Sequence, residues 1–463
     1  MKGSLIVHLI VLFVLWTTML QADDLGWKQS QTAGEELMTR GRYAEARKSF
    51  EMALEATKEF GSSDLRRLQS LSSLAMAYQQ QGRPSEADAL YSKGLALSEE
   101  ALGPKDPLVI KILNNLASLR AAQARFAEAE VLYLRAFSLE KEVYGEAHSF
   151  VAVTLDNLAM LQLNLGRYPE AEKNLLRALE ISRSTQGPEH PETLTKMNNL
   201  AYLYSRLGRY QDAERLYRKV LAANERKLGR ENPVLASTLN SLGEVFRLQG
   251  RIDQAEPLYC RALIIIEKSS GPNDLQAAPV LNNLAILSRA NNRFSEAEEF
   301  YLRALSIREK AFGPQHVSLA RPMNNLAELY TQLRRYSEAD RFYRRALAIL
   351  DSTLGPDHAE IAVALLSRAE GYCLQQHYDE AEPLFRRALA ISEKTLGPGH
   401  PLVGRTLASY ARLLRATKRK GEAGQLEQRA RAIASNRRQE TAATALTVDY
   451  GELRGSTFRE PER

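Results

Sequence analysis

Apolar residues recur along this chain at helical spacing, in paired stripes separated by short polar turns. Between 191 and 228, Leu194, Met197, Leu200, Ala201 and Tyr204 fall on one helical face, and Gly208-Arg209 breaks the pattern. A second stripe follows in Ala213, Leu216, Tyr217, Val220 and Leu221, and Leu228-Gly229 ends it. Positions three and four apart share a helix face, so the stretch predicts two amphipathic helices joined by a tight turn. Nothing alternates with period two, which predicts no sheet.

The same pair of stripes returns along almost the whole chain. Glycine stands at 61, 103, 145, 187, 229, 271, 313, 355 and 397, every step being 42 residues. Alanine stands at 87, 129, 171, 213, 255, 297, 339, 381 and 423 in the same steps, with Ala46 one residue out of phase. The columns define about ten copies within 23–434. Small residues such as Ala201 and Ala213 let paired helices approach, and Tyr210 and Tyr217 fill the space beside them. One helix pair leaves an apolar face open and the next pair covers it, so the expected fold is an all-α solenoid with contacts mainly between neighbours. The last copy departs from the pattern at Lys420, Gly424 and Glu427, as expected of a polar cap.

Two further columns mark helix ends. The repeated glycine suits a left-handed residue just past each second helix. Three residues on come Asp64, Asp106, His148, His190, Asn232, Asp274, His316, His358 and His400, with proline following at 107, 191, 233 and 401. Asp or Asn before Pro is a helix-start signal, so this column predicts N-caps. Five of the seven histidines lie in it. Each belongs to a different copy and Asp or Asn takes its place elsewhere, which points to capping and away from a metal site, whose ligands must meet in one shell.

The motif Gly-Arg-Tyr-x-Glu-Ala-Glu-x-x-Leu-x-Arg-Ala-Leu at 166–179, with relatives at 208–221 and 292–305, resembles the tetratricopeptide repeat (TPR). The 42-residue version, with an LGPxHP linker and an NNLA helix, is most similar to the repeats of kinesin light chains. The resemblance implies a right-handed superhelix with the first helix of each pair lining the concave side. It does not imply a motor role, since the coiled coil of kinesin light chains is missing ahead of the array. It also implies that polar residues of the concave side hold extended peptides. The second asparagine of each Asn-Asn pair matches the peptide-binding position: Asn115, Asn157, Asn199, Asn283 and Asn325, with serine at 73, 241, 367 and 409.

A carboxamide offers both a donor and an acceptor and can grip a peptide backbone whatever its side chains. Residues four before, three after and seven after share its helix face. On that face lie Lys111, Arg321, Tyr202, Arg206, Glu244 and Glu328, the expected flanks of a groove. The competing reading makes both asparagine columns an inter-repeat ladder that fixes register. The first asparagines, at 114, 198, 240, 282 and 324, favour that ladder.

Composition narrows the function. Sixty-two basic against 56 acidic residues leave a charge of +6, mixed along the helices, with no basic patch to suit nucleic acid. No nucleophile elbow, P-loop, HExxH or CxxC is present, so neither an enzyme nor a cofactor is expected. Cys260 and Cys373 lie 113 residues apart in a stiff array and read as free thiols. Paired acids such as Glu170 and Glu172 recur in most copies and read as a solvated face. Lys2, the apolar run Leu5 to Leu20 and the small Ala22 before Asp23-Asp24 predict a secretory signal peptide cleaved after Ala22; an uncleaved anchor is the alternative. Residues 435–463 lack periodicity and are expected to be a disordered tail. The chain thus reads as an exported scaffold that binds peptide segments of other proteins, secreted or periplasmic. The alternative is an accessory subunit presenting its convex or end surface to a catalytic partner.

Overall fold

A computed structural model describes residues 24–123 and 125–447, with side chains as far as 435. The N-terminal apolar run and the last sixteen residues lie outside the described range. The described residues are helical, and no strand occurs among them. No helix among them is long and apolar enough to cross a membrane.

Ten helix pairs follow one another. The first copy holds α1 (24–39) and α2 (Tyr43–Ala56), the second α3 (Leu65–Gln80) and α4 (Pro84–Leu102), the third α5 (Pro107–Ala122) and α6 (Phe126–Tyr144). Then come α7 (Ser149–Asn164) with α8 (Tyr168–Gln186), α9 (Pro191–Arg206) with α10 (Tyr210–Leu228), and α11 (Leu235–Leu248) with α12 (Ile252–Ser270). The rest are α13 (Ala277–Ala290) with α14 (Phe294–Phe312), α15 (Ala320–Gln332) with α16 (Tyr336–Leu354), α17 (Ala359–Leu374) with α18 (Tyr378–Leu396), and α19 (Pro401–Ala416) with α20 (Lys420–Thr447). Helix α20 runs past the end of the periodic pattern at 434, through the alanine-rich stretch 442–445 that favours helix. The chain divides into two compact units after Leu158, and each is described by itself.

Within each unit the first helices lie closer to one another than the second helices do. In the second unit α9, α11, α13, α15 and α17 each touch the next first helix as well as their own partner. Neighbouring second helices stay further apart, and long side chains bridge them: Arg261 to Glu225 at 2.6 Å, Arg345 to Glu309 at 2.7 Å. First helices therefore form an inner wall and second helices an outer layer. In the first unit α3 and α5 touch in the same way.

The small columns sit where the sequence pattern requires. Ala87, Ala129, Ala171, Ala213, Ala255, Ala297 and Ala381 are wholly buried, and Tyr91, Tyr259 and Tyr301 fill the space between copies. The recurrent acids divide. Glu170 is exposed, but Glu172 is 3% exposed and paired with Arg209 of the next copy at 2.8 Å. That Arg also lies 4.0 Å over the Tyr204 ring. The reading of both acids as a solvated face therefore fails at Glu172, because the next copy supplies a guanidinium that a single repeat does not show. Glu214 with Arg251, Glu256 with Arg293 and Glu298 with Arg335 repeat the clamp.

The cap column works as the sequence indicates. Asp106 accepts from the Leu108 N–H at 2.8 Å, Asn232 from Val234 at 3.0 Å, and His190 Nδ1 from Glu192 at 3.2 Å. His148, His316, His358 and His400 cap in the same way. From Gly103 to Gly397 the glycine column has positive φ but is not the left-handed helical conformation expected of it. Gly271 has φ 89° and ψ 168°. That region is open essentially to glycine alone.

Candidate functional site

The inner wall is built from the face of each first helix that carries the asparagines. The helical pattern around each pair fixes which way it points: in α15, Met323, Leu326, Ala327 and Tyr330 are buried, which turns Asn325 and Glu328 to the half-exposed side. In the second unit the pairs link one copy to the next. Asn283 Nδ2 donates to Asn240 Oδ1 at 2.9 Å, and Asn325 Nδ2 donates to Asn282 Oδ1 at 2.8 Å. Asn324 Nδ2 reaches Ser367 Oγ at 3.2 Å and Glu328 Oε1 at 3.1 Å. The ladder reading is thus correct for the first column: Asn282 and Asn324 are buried and hold the neighbouring copy.

The second column is only half used by that ladder. Asn283 and Asn325 are half-exposed, and each spends one N–H. Their Oδ1 atoms and second N–H groups accept and donate nothing among the described residues. In the first unit Asn115 on α5 and Asn157 on α7 are half-exposed, with no side-chain partner among the described residues. Asn199 on α9 occupies the same position of its helix, half-exposed.

The flanking residues fall into two groups. Lys111 on α5 and Arg321 on α15 are exposed and carry no ion pair, Tyr202 is 40% exposed, and Arg206 is exposed one turn further on. The two acids are engaged. Glu244 pairs with Arg247 at 2.6 Å and accepts from the Tyr259 hydroxyl at 3.2 Å. Burial would push its carboxyl up, but the Arg247 guanidinium outweighs that and leaves it below the ordinary range. Glu328 pairs with Arg289 at 3.0 Å and accepts from Ser367 at 2.8 Å. These carboxylates brace the wall and are less available than the exposed Arg321.

Several wall residues escaped the sequence reading. Arg247 and Arg289 form a column six residues beyond the serine or asparagine, and Glu370 accepts from Ser409 at 2.6 Å while pairing with Arg405 at 3.1 Å. The i+3 column Glu244, Glu328, Glu370 carries the signal for Glu370. Arg308 has no such signal: its column holds Ser182, Asn224 and Ile266 in earlier copies. It is half-buried without a carboxylate partner, reaching only the Ser318 carbonyl at 3.4 Å. Burial and the nearby Arg321 charge lower its proton affinity. Glu360 at the start of α17 is raised by its enclosed setting and only partly offset by Arg321. No group of three or more His, Cys, Asp or Glu that could hold a metal occurs among the described residues. Cys260 is exposed and Cys373 half-buried, and both are free thiols.

The tetratricopeptide repeat pattern matches residues 31–100, 67–142, 150–226, 194–268, 234–310, 276–352 and 360–436. Comparison with curated proteins found no match. Among solved structures, a Podosopora anserina kinesin light chain-like protein of nearly identical TPR-like repeats is 25% identical, with a TM-score of 0.39, over 45% of this chain and 97% of its own. A Rap protein complexed with competence and sporulation factor has a TM-score of 0.51 at 15% identity, over 80% of this chain and 98% of its own. The apo form of the quorum sensor NprR from B. thuringiensis has a TM-score of 0.51 at 14% identity, over 70% of this chain and 86% of its own. The last two share the solenoid fold. Arrays of this fold are protein–protein interaction scaffolds, typically without catalysis of their own. The chain belongs to the tetratricopeptide repeat family.

Proposed function

We propose that this chain is an exported scaffold that holds an extended peptide segment of a partner protein along the inner wall of its first helices. One observation carries the reading: the second asparagines keep an open carbonyl oxygen and N–H on the half-exposed side, one per copy, at Asn283 and Asn325 of the second unit and at Asn115 and Asn157 of the first. Packed helices lie about 8–10 Å apart, and an extended chain advances roughly 3.3 Å per residue. Each copy therefore meets about every third peptide residue. A peptide amide that bonds a carboxamide leaves its side chain free, and Tyr202, Arg206, Lys111 and Arg321 then select among sequences. The free cations Arg321 and Arg308, with no carboxylate bound to either, favour an acidic side chain or a C-terminal carboxylate. The export half of the reading rests on the leader-like run at 1–22.

The test uses peptides selected from a displayed random library on the full chain. Asn115→Ala with Asn157→Ala should weaken peptides bound at the first unit by roughly five- to tenfold per amide, at unchanged melting temperature, because these side chains hold nothing inside the protein. Peptides that bind both forms equally would remove the groove from the proposal. Cell fractionation tests export: a species beginning at Asp23 outside the cytoplasm is expected, and an intact cytoplasmic chain would contradict it.

A further inference from the structure

Every junction between second helices later in the second unit is closed by an ion pair. Arg261 meets Glu225 at 2.6 Å, Arg345 meets Glu309 at 2.7 Å and Arg387 meets Asp351 at 3.2 Å, while Arg303 with Glu267 and Arg429 with Glu393 complete the series. The corresponding positions of α10 and α8 are Lys219 and Arg183. Both are exposed, neither has an ion pair, and the two charges repel where the other junctions attract.

A cleft opens at that same junction. It has a volume of about 840 Å³ and is walled by α8 and α10 over α9. Its floor is apolar, formed by Leu179, Leu194, Met197, Leu200 and Leu216. The packing columns explain why it forms here. Copies two to ten have Leu97, Leu139, Ile181, Ile265, Ile307, Ile349, Ile391 and Ile433 in one column, and Ala223 stands in the fifth copy. Three residues earlier the column is alanine or glycine in every copy except the fifth, which has Val220. Leu194 likewise stands where later copies have Ala236, Ala278, Ala320, Ala362 and Gly404. The larger Val220 and Leu194 meet between α9 and α10, and the missing side chain at 223 leaves the space above them unfilled. Leu194, Val220 and Ala223 accordingly form a small cluster of their own with Met197, apart from the large core of the unit.

We infer that this cleft is a binding site for a small amphiphilic carboxylate, whose apolar body fills the space left at Ala223 and whose carboxylate sits between Arg183 and Lys219. The volume lies within the roughly 300–1,000 Å³ of small-molecule sites. The charge choice follows from the junctions themselves, since a bound carboxylate restores at α8 and α10 the cation–carboxylate pairing that the protein supplies at the other five. The remaining rim cations, Arg215 and Arg226, are already matched by Asp212 and Glu189. The site lies in the outer layer and does not depend on the peptide wall.

Calorimetric titration of the full chain with sodium decanoate tests this, with 1-decanol as the uncharged control. Wild type should bind decanoate at least about tenfold more tightly than decanol, the worth of a charge-assisted contact. Ala223→Ile fills the space with the side chain that the other copies use, and Arg183→Glu supplies the missing counter-charge from the protein. Each should weaken decanoate about tenfold or more while leaving thermal unfolding unchanged or raised. No binding by wild type, or equal binding by wild type and both variants, overturns the proposal. A wild type that takes decanol as well as decanoate leaves an apolar cleft without the carboxylate site.

Discussion

Asn325 donates its Nδ2 to the Oδ1 of Asn282, 2.8 Å away and one repeat earlier. The bond joins the second asparagine of one copy to the first asparagine of the copy before it, and Asn283 with Asn240 repeats it at 2.9 Å. The recurring pair therefore divides its labour. The first member fixes register, buried at Asn282 and half-exposed at Asn240, and the second shares its amide between the neighbour and the hollow. A double-mutant cycle of Asn282→Ala and Asn325→Ala, measured by urea unfolding, should give a coupling of about 0.5–1.5 kcal/mol. Additive losses would mean that the bond contributes nothing. Asn157→Ala, which breaks no internal bond, should change stability by less than about 0.5 kcal/mol.

Glu140 makes the stability of the first unit depend on pH. It is 2% exposed, accepts from Thr154 Oγ1 at 2.8 Å and from Asn114 Nδ2 at 3.2 Å, and has no cation beside it. Burial pushes its carboxyl from 4.5 up to about 7, against the smaller opposing effect of those two hydrogen bonds. A raised carboxyl favours the protonated folded form. Stability is then full below pH 4.5 and declines as pH rises to about 7, by up to roughly 3 kcal/mol. Glu140→Gln should remove the decline and protect the first unit at pH 8. Amide hydrogen exchange in α5 and α6, compared at pH 5 and 8, reads this out. The same pH response in both proteins would show that another group is responsible.

Backbone conformation sets opposite demands at two turns of the repeat. Gly271 sits at φ 89° and ψ 168°, with nothing within 4 Å of where a Cβ would be placed. Gly271→Ala should cost about 1–3 kcal/mol through the backbone alone. Arg334 holds φ 60° at a turn where other copies have glycine. Arg334→Gly should be neutral or stabilising by up to about 1 kcal/mol, since it relieves a left-handed residue. Thermal unfolding of the two variants checks both signs, and a stabilised Gly271→Ala would refute the backbone account.

What was legible in the sequence is what a single copy contains. The stripes of Leu194, Leu200 and Tyr204, the buried Ala213 and the cap at His190 depend on residues a few positions apart, and each is found where the periodicity places it. What was hidden depends on the neighbouring copy. Glu172 looked solvated until Arg209, 37 residues away, was brought against it. The division of work within the asparagine pair needed the 43-residue bond from Asn325 to Asn282. Arg308 was missed because its column holds Ile266, Asn224 and Ser182 in the three copies before it. Val220 and Ala223 were visible as departures from their columns, but their meaning required knowing which helices those columns separate.

The direct test of the peptide wall is made on the ligand. A selected peptide should be compared with versions of identical sequence in which single backbone amides are N-methylated. If the open carboxamides of Asn115, Asn157, Asn283 and Asn325 grip main chain, methylation at about every third residue should lower affinity roughly five- to tenfold, and methylation between those positions should do little. Peptides that keep full affinity whichever amide is blocked, and lose it only when side chains are cut to alanine, would contradict recognition through the backbone.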